Sequence, residues 1–448
     1  MTARGRWTWN AGTAGAAVCV VALVLLLMPS FLASAIGIEL VALAFWLWAR
    51  ADEHATEQVP RWQWLRRPAM AVWVAFAVHA AAPSLRHVLA SSAGFRAAPL
   101  QWIEASALVW AGLELVAALP LARPFSDFPG PYVSARPWLP VVLPSAGFLL
   151  LWNQASHWTS VPAVGHIATV LLILTALLAS LRAFARRGWT VSLRWLSVAH
   201  SALALVLLSE SVVAGESALL IWLGAFGGPA FILAGELAGA SPRRGKFNAR
   251  LWRAASFVST SSLGWPVLLA LAPRPVDVRL VGFVVVSVAL AISTWIMVGR
   301  LEVAPERRRL MRPGSGITVS RVAGVLTLLL GPVGLTLAWW EGFEPHWAAS
   351  AVAFAPIVFG AGLAVGKRRR RGPQIGPLIA AVGKLAKPLA AAAYRSIIGW
   401  ERGVLRVVLA SARVLFSPVR DLHTGDAQEY LLFLAGVGVL ALLLPLLR

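Results

Sequence analysis

Glu39 stands in the stretch IGIELVALAFW, inside an apolar segment long enough to cross a bilayer. An ionised carboxylate at the bilayer centre costs on the order of 2.5–3.5 kcal/mol, so Glu39 is expected to face protein or a water path. His79, Glu114, His166, His200, Glu210 and Glu236 stand at comparable depth in other apolar segments. Carboxylates and imidazoles take and release protons, and at membrane depth such groups mark ion paths. For any one of them, a place near a helix end that reaches headgroups or water is an equally good account. His87, Glu216, Glu341 and Glu344 fall at segment ends and are assigned no function.

Other chemistry has no footing in the sequence. It holds no Gly-rich phosphate loop, no local metal-ligand spacing and no nucleophile motif, so no cofactor, no metal and no catalytic site of its own are expected. Cys19, the single cysteine, lies in the first apolar run, where it is expected to pack inertly.

The elements that must position these groups are membrane helices. Hydrophobic residues make up 58% of the 448 residues and charged ones only 13%, and the mean hydropathy is +0.73, a balance foreign to soluble domains. The net charge of +21 does not point to nucleic acid, because the basic residues form short clusters between apolar stretches. Arginine supplies nearly all of that charge; lysine occurs only at Lys246, Lys367, Lys384 and Lys387, none inside an apolar run. Arg4 and Arg6 before the run 11–28 could open a signal peptide. The run is too long for one and no convincing cleavage site follows, so it is read as a retained helix.

Thirteen hydrophobic segments emerge, at about 11–28, 31–49, 69–91, 105–121, 138–152, 161–181, 190–213, 218–240, 255–272, 276–299, 319–340, 347–366 and 429–447. A basic loop follows every even-numbered one: Arg61, Arg66 and Arg67; Arg123 and Arg136; Arg182, Arg186 and Arg187; Arg243, Arg244 and Lys246; Arg307, Arg308 and Arg309; and KRRRR at 367–371. Loops after odd-numbered segments hold little beyond Arg96 and Arg274. The bias places the basic loops and the N-terminus in the cytoplasm of a bacterial-type inner membrane. Trp46, Trp48, Trp62 and Trp64 fit interface anchors.

Between the last two segments, Arg395, Arg402, Arg406, Arg413 and Arg420 recur at steps of seven or four, a single stripe on a helix otherwise filled by Ile398, Leu405, Val408, Ala412 and Leu415. This predicts an amphipathic helix lying on the cytoplasmic face, or equally a basic juxtamembrane helix held by anionic lipid. The expected fold class is all-α: a polytopic membrane bundle over 1–366, a basic loop and lateral helix over 367–428, and a final span over 429–448. Pro120, Pro229 and Pro266 are expected to break their helices at membrane depth, as in ion-translocating proteins.

The order of these features resembles the antiporter-like membrane subunits of respiratory complex I and membrane-bound hydrogenases, a family shared with multi-subunit cation/proton antiporters. IELVAL with Glu39 is similar to the family's Glu-Leu helix, and ELVAALPL up to Pro120 to its first broken helix. GPYVSARPWLPVVLPSAGFLLL resembles the Pro-x-x-Val-Ser-Ala segment and its Gly-containing helix, and LSVAHSALAL places His200 on the family histidine. GWPVLLALAPR is similar to the second broken helix, with Arg274 at its lysine. GWERGVLRVVL and HTGDAQEYLLFLAGVGVL look like the lateral helix and last span of the family's larger members, whose first three helices would be missing here.

The resemblance implies a membrane-arm subunit of a redox-driven proton-translocating complex, of the NADH:quinone oxidoreductase or hydrogenase type. Its partners would be the lipid bilayer, neighbouring subunits and protons or other small cations. Glu39, Glu114 and His200 would be remnants of a proton path and Arg274 a fixed charge biasing it. Where the family has proton-carrying lysines this chain has Leu115 and Gly227, and the lysine before Gly147 is also absent. Arginine stays protonated and cannot substitute, which implies reduced or lost pumping. The alternatives are the membrane subunit of an ion-coupled transporter, for inorganic carbon uptake or exchange of sodium for protons, and a structural scaffold.

Overall fold

The computed structural model describes residues 3–50, 66–90, 98–116, 139–185, 189–210, 215–237, 246–271, 279–299, 316–341 and 347–366. The chain divides into a unit covering Met1–Val382 and one covering Gly383–Arg448. The second unit, and with it the expected lateral helix and last span, lies outside the described residues.

Among the described residues there are thirteen α-helices and no strand. They are α1 (Ala3–Leu27), α2 (Phe31–Arg50), α3 (Arg66–Ala90), α4 (Ala98–Leu115), α5 (Leu139–Asn153), α6 (Ala155–Thr159), α7 (Pro162–Ala185), α8 (Trp189–Ser209), α9 (Gly215–Leu237), α10 (Lys246–Ala270), α11 (Arg279–Gly299), α12 (Gly316–Trp340) and α13 (Trp347–Gly366). Apart from the short α6, they coincide with the first twelve hydrophobic segments. Where water is excluded, a helix satisfies every backbone N–H and C=O within itself, so apolar runs of this length fold as helices. Three stretches, Pro162–Phe184, Ser192–Ser209 and Leu280–Val298, are long and apolar enough to cross a membrane.

The helices expected to break at Pro229 and Pro266 do not. α9 and α10 pass through those positions as single helices, and Pro144, Pro332 and Pro356 likewise lie inside α5, α12 and α13. A proline removes one backbone donor, and a packed bundle tolerates the loss when neighbouring side chains shield the freed carbonyl. α10 meets this condition: it packs against α8, α9, α11, α12 and α13. Pro120 lies outside the described residues.

Helix direction follows from which ends meet. Asn153 Nδ2, at the end of α5, donates to the carbonyls of Leu26 (3.1 Å) and Met28, at the end of α1. Gln154 Nε2 donates to Ser34 Oγ at the start of α2 (3.1 Å), and Trp152 Nε1 to Gly215 O at the start of α9 (2.6 Å). Ser217 Oγ, also at the start of α9, donates to Glu341 Oε2 just beyond α12 (2.5 Å). Thr169 Oγ1 of α7 donates to Ser209 Oγ at the end of α8 (2.7 Å). At the opposite end of the bundle, Ser192 Oγ of α8 donates to Ala183 O of α7 (2.8 Å). The long helices therefore alternate up and down.

α8 is almost wholly buried, and Val142 to Leu151 of α5 are buried without interruption. Around this centre the outer helices expose large apolar side chains, among them Val20, Met70, Ile167, Val281, Leu329 and Val358. A bundle apolar inside and outside is suited to lipid as its solvent.

With no apolar contrast between core and surroundings, close approach of small residues holds such helices together. Gly224 of α9 crosses Gly331 of α12 so closely that a Cβ at Gly224 would lie 2.5 Å from the Gly331 nitrogen. Gly334 meets Ile221 one turn along the same contact. Gly224→Leu is expected to cost about 1–3 kcal/mol or more by forcing α9 and α12 apart. Gly165→Ala, at a position with nothing within 4 Å, should be neutral or slightly stabilising. Thermal unfolding of the two variants in the same detergent measures the contrast.

Candidate functional site

Two groups of chemistry-bearing residues are assembled in the described bundle, one at the end where α5 terminates and one at its centre.

The first arises because the chain between α5 and α7 is pinned. Trp158 of α6 is fully buried and donates from Nε1 to Leu151 O (2.8 Å), while Asn153 and Gln154 fasten the same turn to α1 and α2. His157 is thereby held beside Glu104 of α4, with Nδ1 2.7 Å from Glu104 Oε1. His79 of α3 approaches the same oxygen, Nδ1 to Oε1 3.3 Å. Glu104 is buried, whereas both histidines are partly open. Phe31, the first residue of α2, stacks on His79 (centroids 5.0 Å, 20°) and meets His157 edge-on (5.3 Å, 78°). The imidazoles border an open cavity of about 390 Å³ whose lining includes Gln101, Ser156 and Ser160. Among the described residues, this is the one place where three His, Cys, Asp or Glu side chains lie within reach of a single ion.

The second group surrounds His200 in the buried helix α8. His200 is completely buried, and its Nδ1 donates to Ala225 O of α9 at 3.0 Å. That bond leaves Nε2 of a neutral ring as the lone-pair nitrogen, buried and without a hydrogen-bond partner among the described residues. Beside it Trp222 Nε1 donates to Ser201 Oγ (3.2 Å), and Trp222 stacks between Phe148 (4.1 Å) and Phe226 (4.8 Å). α10 packs against α8 and brings buried Ser256, Ser259, Thr260, Ser261 and Ser262. Several of these hydroxyls return to their own helix, Thr260 and Ser259 to Ser256 O and Ser261 to Phe257 O.

The other expected residues are not gathered around His200. Glu39 is exposed on the outer face of α2, contrary to the expectation that it faces the protein interior; the Trp73 indole Nε1 donates to its Oε1 at 3.1 Å. The reason lies in helix phase: Leu32, Ile36, Glu39, Leu43 and Trp46 form the exposed stripe of α2, while Ile38, Val41 and Phe45 turn inward. Glu114 and Glu210 are half-buried, and His166 and Glu216 are exposed. Arg274 and the side chains of Glu236 and His87 lie outside the described residues, as does Glu344.

Of the first group, the sequence pointed to His79 alone. Glu104 and His157 precede or follow apolar segments, 25 and 78 positions beyond His79, and no local spacing joins the three. The available signal was the polar run NQASHWTS directly after a span. Neither a family model nor a curated protein matches the chain.

The pinning of α6 is open to a direct check. Asn153→Ala frees the carbonyls of Leu26 and Met28 at once and should cost about 1–3 kcal/mol. It should also raise amide exchange at the α1–α2 turn and in α6 ahead of the bundle centre, read by hydrogen exchange with mass spectrometry.

Proposed function

We propose that the chain is a non-catalytic membrane subunit of the antiporter-like type its motifs resemble, working inside a larger redox-driven complex and with its proton pumping reduced or lost. Exposed Glu39 carries this reading. It is the ninth of twenty residues in α2, about 12 Å along the helix from Phe31, at the middle of an exposed apolar stripe. One indole N–H, a bond to a charged group worth about 1.5–3 kcal/mol, offsets only part of the roughly 2.5–3.5 kcal/mol that a carboxylate facing lipid costs and leaves its second oxygen to be answered. A helix of another subunit laid along Leu32, Ile36, Leu43 and Trp46 would remove both problems, covering the stripe and supplying Glu39 with a polar or basic partner.

Three further observations support the reading. The ends of α1, α5, α8 and α12 lie with the starts of α2, α7 and α9 at the Asn153 end of the bundle, an up-and-down arrangement that agrees with a multi-pass membrane protein. At the positions of the family lysines the chain is packed shut: Leu115 is fully buried, Gly227 is buried, and a Cβ at Gly147 would already lie 2.7 Å from Val116. His200 retains a buried basic nitrogen, which favours a second reading in which a residual ion path, or an ion-coupled transporter, is kept.

The experiment is site-specific photo-crosslinking in native membranes, with the probe at Leu43 or, as control, at Val281 on α11. The expected product joins Leu43 to another membrane protein, identified by mass spectrometry as a quinone-oxidoreductase or hydrogenase subunit. Crosslinks to lipid or within the chain alone would overturn the reading, and a carbonic-anhydrase-like partner would select the transporter. Glu39→Leu should leave insertion intact and reduce co-purification of the partner at least about tenfold, the loss of roughly 1.4 kcal/mol or more. In vesicles of the reconstituted complex, His200→Gln should leave proton flux unchanged under the first reading and abolish it under the second.

A further inference from the structure

We propose that His79, Glu104 and His157 form a binding site for one divalent transition-metal ion, zinc being the best match. Both imidazoles aim Nδ1 at a single carboxylate oxygen, Oε1, instead of dividing between the two. The three donor atoms all lie within 4.8 Å of one another. Ligands about 2.0 Å from a tetrahedral zinc stand about 3.3 Å apart, so the His79–Glu104 separation already suits the ion and the His157–Glu104 separation needs to open by only about half an ångström.

The donor set selects the ion. Two imidazoles and one carboxylate are nitrogen and oxygen donors suited to zinc and its first-row neighbours, whereas magnesium and calcium favour all-oxygen cages. With one negative ligand, a divalent ion leaves a single positive charge at the site. Three protein ligands leave a fourth position, and the cavity edged by Gln101, Ser156 and Ser160 gives water or a small anion access to it.

The surroundings are built to hold the ligands. Phe31 packs on both rings and fixes their planes, and His79 and His157 meet each other edge to face (4.9 Å, 84°). Glu104 sits at the buried base of the group. α6, which carries His157, is anchored through Trp158, Asn153 and Gln154. A bound ion would join α3, α4 and α6. This site stands whether or not the chain belongs to an antiporter-like complex.

The test uses the full chain in detergent, freed of any polyhistidine tag, titrated with cobalt(II) alone. Wild type is expected to bind one equivalent with the intense visible bands of four- or five-coordinate cobalt, displaced by stoichiometric zinc. His79→Asn and His157→Asn, checked for unchanged elution and helical content, should each weaken binding by at least about 100-fold, since loss of an outer-shell partner alone costs about 10–100-fold. His166→Ala, at an exposed histidine outside the group, should change nothing. If the variants fail to fold, X-ray absorption of the zinc-loaded wild type decides, with two imidazole nitrogens and carboxylate oxygen expected in the first shell. Absence of the visible bands, binding that survives both asparagine substitutions, or a shell of oxygen alone would overturn the proposal.

Discussion

When side chains are apolar on every face of a helix, burial no longer says how helices should be arranged, because lipid and neighbour are equally good company. What remains is geometric fit and the demand that each polar group find a partner. Both are visible at the crossing of α9 and α12, where Gly224 meets Gly331, and at the end of α5, where Trp152, Asn153, Gln154 and Trp158 hold the starts or ends of α1, α2, α6 and α9. Trp152, Asn153 and Trp158 donate to backbone carbonyls at or near helix ends and Gln154 to the Ser34 hydroxyl, so one short polar run ties several helices together. The His79–Glu104–His157 group depends on the same run, since Asn153, Gln154 and Trp158 fix the turn that carries His157 to α4.

The two groups answer the same constraint in different ways. At the centre, His200 can be neutral, and a single bond to Ala225 O satisfies its donor without any buried charge. At the bundle end, Glu104 is buried but receives two imidazoles, which compensate a carboxylate as one hydroxyl could not. Glu39 has neither solution within the described residues, only one indole N–H.

The positions of the first twelve hydrophobic segments were legible in the sequence because hydropathy and length decide where apolar helices lie almost alone. Helix faces were not legible. α2 is apolar all round, so its pattern gave no sign that Ile38 and Phe45 point inward while Glu39 points out. The prolines misled for a related reason: the sequence shows that Pro266 removes a donor, but not that α10 is enclosed by five helices. Glu104 and His157 escaped because a site made by tertiary convergence leaves no spacing to read.

The positions that resemble the family's lysine sites sharpen this contrast. A lysine there would need room and a carboxylate within reach to hold its proton. Here Leu115 is packed against other apolar groups, Gly147 is in contact with Gly112 and Val116, and Glu39 has turned to the outside of α2. A lysine introduced at one of these positions would therefore lack both. It would bury an unpaired ammonium among helices whose close approach depends on glycine, and the carboxylate that should answer it faces away. Close packing at Leu115, Gly147 and Gly227 and the outward phase of Glu39 thus leave none of these positions with both the room and the carboxylate that a proton-carrying lysine needs.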